Sequence, residues 1–129
     1  MRVLLDTHAF LWWLDGDRRL PKKGRALIAD EANIVLVSAA SAWEIATKAR
    51  LGKLGGAAEV AADIGGAVAS QGFLALPVTI SHAQRAGGLP GPLRDPFDRM
   101  LIAQSQLEDL PLISVERIFD RYGVTRLWG

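Results

Sequence analysis

Short apolar runs alternate along this chain with longer helix-forming stretches, and that alternation restricts the possible fold more than any other feature. "RVLLD" at 2–6, "NIVLVS" at 33–38, "FLALPV" at 73–78 and "PLISV" at 111–115 are too short for helices. Each reads as a buried strand, and "TRLW" at 125–128 as a last one. Strands separated by helices imply right-handed crossovers and a parallel sheet covered on both faces. The expected architecture is therefore α/β, a three-layer α/β/α sandwich with a mostly parallel central sheet, in one domain over residues 1–129. In such sheets ligands sit outside the carboxyl ends of the strands.

The intervening stretches place the helices. "THAFLWWLDGD" is stopped by Gly16, and "PKKGRALIADEA" carries Pro21 near its first turn. "SAWEIATKARLGKL" closes at Gly52; "AAEVAADIGGAVASQG" reads as one Ala-rich helix weakened by Gly65 and Gly66. "SHAQRAGGL", "DPFDRMLIAQSQLED" and "ERIFDRYG" follow. Pro77 ends the third strand or places it on an edge. Gly87, Gly88 and Gly91 lack the strand–loop–helix setting of a phosphate loop and read as a mobile connection. Trp12 and Trp13 are adjacent, so they point about 100° apart on a helix, and one is expected to face a partner.

Composition removes several chemistries. With no cysteine among 129 residues there is no disulfide framework, thiolate metal site or cysteine nucleophile. No apolar run reaches the roughly 18 residues of a membrane span, and "MRVLLDTH" lacks the basic-then-apolar layout of a signal peptide. A soluble cytoplasmic protein with no membrane contact is expected. Net charge is +1, but setting four acidic site residues aside leaves 15 basic residues against 10 acidic. Basic residues cluster in "DRRLPKKGR" and "KARLGK", each of which alone reads as a solvated face.

Four carboxylates fall at the expected ligand edge. Asp6 ends the first strand, Glu44 lies in the first turn after "NIVLVS", Asp98 in the first turn of the helix begun by "DP", and Glu116 follows "PLISV". Helix-start duty accounts for some of them singly. "SAWE" has the form of a capping box with Ser41 as cap, and in "DPFD" Asp95 caps while Asp98 favours the helix dipole. Together they would repel, and some would have to be protonated at pH 7. No cationic residue stands at the matching strand ends apart from Arg94 and Arg99 beside Asp98. A hard divalent cation, Mg²⁺ held by carboxylates and water, would relieve the repulsion and allow hydrolysis of a phosphodiester. His8 reads as packed or solvated rather than catalytic, and His82 as helix-start surface.

"VLLDTHAFLWWL", "SAWEIATKARLGKL", "RDPFDRMLIAQSQ" and "PLISVERIFDRYGV" together resemble the PIN domain, in particular the VapC toxins of VapBC toxin–antitoxin pairs. The resemblance implies a Mg²⁺- or Mn²⁺-dependent endoribonuclease, a homodimer, inhibited by a VapB-like antitoxin. It matches Asp6, Glu44 and Asp98 to the three core acidic ligands. Glu116 stands where the family commonly has an aspartate, in a T-x-D-like element that here reads Ser114-Val115-Glu116. Its extra methylene would make it bind metal through water. Thr7 takes the hydroxyl position beside the first aspartate and would orient it. Asp95 belongs to an "RDPFDR" form of the motif and is read as the helix cap, with Asp98 the ligand. Arg94 and Arg99 would hold RNA phosphate and pair with Asp95.

Two rivals fit less of the sequence. A haloacid-dehalogenase-like phosphohydrolase also uses an aspartate after an N-terminal strand, but its second aspartate would fall at His8. A non-catalytic interaction module would need every acidic residue to be a helix cap.

Overall fold

The structure, a computed structural model, describes residues 1–129 except the surroundings of residue 56. Strands β1 (Arg2–Leu5), β2 (Ile34–Ser38), β3 (Leu74–Leu76), β4 (Leu112–Ile113) and β5 (Arg126–Leu127) form one sheet in the order β3-β2-β1-β4-β5. Every pairing is parallel, with Leu5 level with Val37 on one side and Ile113 on the other. Pro77 follows β3 directly and β3 is an edge strand, where a missing N–H donor breaks no ladder.

Both faces of the sheet are buried, which explains why its strands read as continuous apolar runs. Alternation within each strand divides the core in two. Val3, Leu5, Val35, Val37 and Ile113 join one cluster with Phe10, Leu20, Ile28 and Ile45. Phe10, Ile28 and Ile45 come from α1 (Thr7–Asp15), α2 (Lys22–Ala29) and α3 (Ala39–Arg50), and Leu20 from the connection between α1 and α2. Leu4, Leu36 and Leu112 face the other way, onto Leu101 and Ile102 of α7 (Pro96–Glu108) and Phe119 of a 3₁₀ helix at Arg117–Tyr122. α6 (Ile80–Gly88) lies against α7. This is the three-layer α/β/α fold. No helix among the described residues is long and apolar enough to cross a membrane.

Local details depart from expectation for identifiable reasons. The stretch 58–70 is two helices, α4 (Ala58–Ala62) and α5 (Ile64–Ser70). The break is at Asp63, not at the glycines, because its carboxylate accepts from the Gly66 amide at 2.9 Å and so starts a new helix. α3 begins at Ala39 with Ser38 as cap, so Glu44 lies in the second turn and Ser41 is inside the helix rather than capping it. Pro21 is the residue before α2 rather than within its first turn. Trp12 and Trp13 both find cover within the chain. Trp12 packs on His8 and Trp128, and Trp13 packs on Phe73 and donates to Gln71 Oε1 at 3.0 Å.

Candidate active site

In this strand order the chain proceeds outward in one direction from β1 to β2 and β3, and in the other to β4 and β5. The crevice at the carboxyl ends of β1 and β4 is therefore the switch point where such sheets receive ligands. Asp6 stands there. Its amide donates to Ile113 O at 3.1 Å, while its carboxylate caps α1 by accepting from the Ala9 amide at 2.8 Å. Asp6 is only 4% exposed. Burial pushes its carboxyl up to about 6; hydrogen bonds from Ser114 and the Ala9 amide and the nearby His8 pull the other way, and Glu116 adds repulsion.

Glu44 reaches the same end from α3 and is 5% exposed. Thr7 Oγ1 donates to Glu44 Oε1 at 2.6 Å and lies 3.0 Å from Ser41 Oγ. Lys48, one turn further along α3, holds Glu44 Oε2 at 2.5 Å. Thr7 thus orients Glu44 rather than Asp6. Lys48 also corrects the expectation that no cation stands near the acidic set apart from Arg94 and Arg99.

α7 brings the two aspartates of "DPFD" into different positions. Asp95 is the N-cap and accepts from the Asp98 amide at 3.0 Å, with Pro96 at the first helical position. Asp98 faces the crevice half-buried, and its carboxyl is pushed up to about 7. Burial is the largest cause, followed by the charges of Asp95, Glu44, Asp6 and Glu116. Those residues therefore lie within one another's field. Glu116 is exposed beyond β4, its amide bound to Ser114 Oγ at 2.9 Å. Among the described residues, no three aspartate, glutamate or histidine side chains stand close enough to form a ready-made metal cage. The donors are nonetheless all hard oxygens, mutually repelling and open to solvent on the Asp98 side. That chemistry fits a cation such as Mg²⁺, which keeps several waters and takes few protein ligands.

Arg99, beside Asp98, has other work. Arg99 donates to the carbonyls of Ala86 (2.9 Å), Leu93 (2.8 Å), Leu89 (2.5 Å) and Gly87 (3.4 Å). Gly87 and Gly88 end α6, and this guanidinium ties the end of that helix to the loop after it. Among the described residues neither Arg94 nor Arg99 pairs with Asp95. Arg99→Met should destabilise the protein by about 2–4 kcal/mol in urea unfolding, and Arg99→Lys should not restore it, because an ammonium lacks the planar fork. His82, expected on the surface, is 2% exposed. Its Nδ1 accepts from the Thr79 amide, leaving Nε2 to donate to Glu108 at 2.9 Å.

Three contributors escaped the sequence reading. Lys48 carried a usable signal, its i,i+4 spacing from Glu44. Ser114 carried one only through the T-x-D-like element, and Ser41 none, being a small residue whose value lies in what the fold brings to it. Beside the site, a cleft of about 550 Å³ runs between α1 and α3–α4. Leu11, Leu14, Leu54 and Val60 give it an apolar floor, and Arg19, Lys48, Asp15 and Glu59 a charged rim.

A family model described as "PIN domain" matches residues 3–124. Among curated proteins, none matches the chain. Among solved structures, the chain is similar to one in the crystal structure of VapBC2 from Rickettsia felis bound to a DNA fragment from their promoter. The TM-score is 0.69 at 15% identity, with the whole of each chain covered.

Proposed function

The chain belongs to the PIN-domain family, a family of nucleases, and we propose that it is the toxin of a type II toxin–antitoxin pair. In this reading it is a VapC-like endoribonuclease that hydrolyses RNA with Mg²⁺ or Mn²⁺. The observation that carries the reading is the environment of Asp98, whose carboxyl is raised first by burial and then by the negative charges of Asp95, Glu44, Asp6 and Glu116. Asp6, Glu44 and Asp98 would hold the cation, with Glu116 in support. When bound, the cation supplies an activated water and neutralises charge on the phosphodiester.

The chain's own residues fix the donors. The Ala9 amide and Ser114 orient Asp6, Thr7 and Lys48 hold the two oxygens of Glu44, and the Asp95 cap starts the helix that presents Asp98. Lys48 also has a second use, because a cation at the edge of an acidic crevice can meet an RNA phosphate. Exposed Arg94 is available for the same purpose and would add salt-dependent affinity.

The likeness to a chain of the VapBC2 complex supports a VapB-like antitoxin as partner. The cleft beside the site, apolar below and charged above, suits an amphipathic peptide segment. A homodimer acting in the cytoplasm completes the proposal. The haloacid-dehalogenase alternative gains nothing from the structure, since His8 is exposed and stacked on Trp12.

The test is cleavage of an end-labelled single-stranded RNA by the purified chain with Mg²⁺, with Mn²⁺ and with chelator. Cutting should require the metal and return when it is added back. A well-folded chain that never cuts RNA under any of these conditions would remove the proposal.

A further inference from the structure

α3 packs against α7. Glu44 and Asp98 share one electrostatic field, and the residue before each is aromatic. Trp43 meets Phe97 edge to face, with ring centroids 4.6 Å apart. The aromatic pair therefore lies directly alongside the carboxylate pair, one residue back on each helix. Trp43 is 58% exposed and is the only aromatic among the exposed large hydrophobic residues described. Trp12, Trp13 and Trp128, by contrast, pack on one another's neighbours within the chain.

The surroundings of Trp43 keep its free face clear. Ala39 and Ala46, one turn before and one after, are exposed on the same side of α3, and Arg50 follows a turn later. Small residues on either side leave room for a flat ring to lie over the indole, and the cations suit the backbone that carries it. Arg94 is exposed three residues before Phe97. A protein partner would want a contiguous apolar patch, and one tryptophan between alanines is a small one. A planar heterocycle tethered to phosphates matches the group better.

We infer that Trp43, braced by Phe97, is a stacking platform for one unpaired nucleobase next to the phosphate held at the acidic crevice. The inference rests on the nuclease reading and deepens it by assigning one residue that contacts a base, through stacking rather than base-edge hydrogen bonds. It makes Trp43 a positioning residue for the substrate. It also predicts tolerance of base identity at that position, because every base has a face to stack.

The test begins by mapping the cut in a short single-stranded RNA. Each nucleotide flanking the cut is then replaced in turn by an abasic residue, and kcat/KM is measured for the native chain, Trp43→Ala and Trp43→Phe. With the native chain, one abasic position should cost about 10- to 100-fold. Trp43→Ala should lose a similar factor on intact RNA and be indifferent to that abasic position, so the two losses are not additive. Trp43→Phe should keep most activity and the abasic penalty. Thermal melts and sedimentation of each variant establish that folding and assembly are unchanged. An undiminished abasic penalty in Trp43→Ala overturns the platform while leaving the nuclease reading intact. So does a Trp43→Ala chain as active as the native one, or one whose loss follows dissociation into monomers. Anisotropy of the same labelled RNA separates the remaining cases. A native chain that binds without cutting, with binding weakened by Trp43→Ala, removes hydrolysis and keeps the platform. One that neither binds nor cuts removes both.

Discussion

Asp98→Asn is expected to reduce metal-dependent RNA cleavage by roughly a hundredfold or more, with the fold intact. An amide has the shape of the carboxylate it replaces but is a far weaker ligand for a hard cation. The position tolerates the change. Asp98 contributes its backbone amide to the Asp95 cap, and that bond does not involve its carboxylate. Comparison of initial cleavage rates at saturating Mg²⁺, for native and variant chains of equal helicity, decides the matter. A variant retaining full activity would mean that Asp98 is helix-start decoration, as the rival interaction-module reading requires.

The same substitution should stabilise the metal-free protein, increasingly so as pH rises. The Asp98 carboxyl is pushed up to about 7 in the folded chain, against 3.8 for a free one, chiefly because it is buried and then because Asp95, Glu44, Asp6 and Glu116 surround it. A carboxyl raised on folding makes the native state bind more protons than the unfolded state between those two values. Its favourable contribution is complete below about pH 4 and is lost as pH climbs through 7. Asparagine carries no charge to repel, so the gap in melting temperature between Asp98→Asn and native should be small at pH 4. By pH 8 it should open to about 5 °C in favour of the variant. Mg²⁺ should reverse the order. A ligand at a hundred times its Kd stabilises the native chain by about 2.7 kcal/mol, and the variant should gain little. Melts at pH 4, 6 and 8, with Mg²⁺ and with chelator, measure both effects. A gap that stays constant with pH would mean that Asp98 does not feel the other carboxylates.

Much of this arrangement was legible in the residues, and the reasons differ from element to element. The strands were, because a sheet buried on both faces leaves an uninterrupted apolar run that no helix period explains. "DPFD" was, because cap, proline and third-position acid act within a single turn and need nothing distant. "SAWE" misled for the same locality. It imitates a capping box, but the real cap, Ser38, is the last residue of the preceding strand, where a serine looks like part of the run. Arg99 and His82 misled because their partners come from other segments: carbonyls of the end of α6 and the loop after it in one case, Glu108 of α7 in the other. Charge type was visible; the direction each side chain takes depended on packing.

Asp6 and its partners Ile113 and Ser114 lie more than 100 residues apart in sequence. Local structure can build α1 early, and β1 can find β2 once that segment exists, but the crevice has no second wall until β4 docks against β1. Contacts of such long sequence separation form late because the intervening loop must close first. A fragment that stops short of β4 therefore carries its acidic residues without a site. The fold itself withholds the crevice from any chain in which β4 has not yet paired with β1.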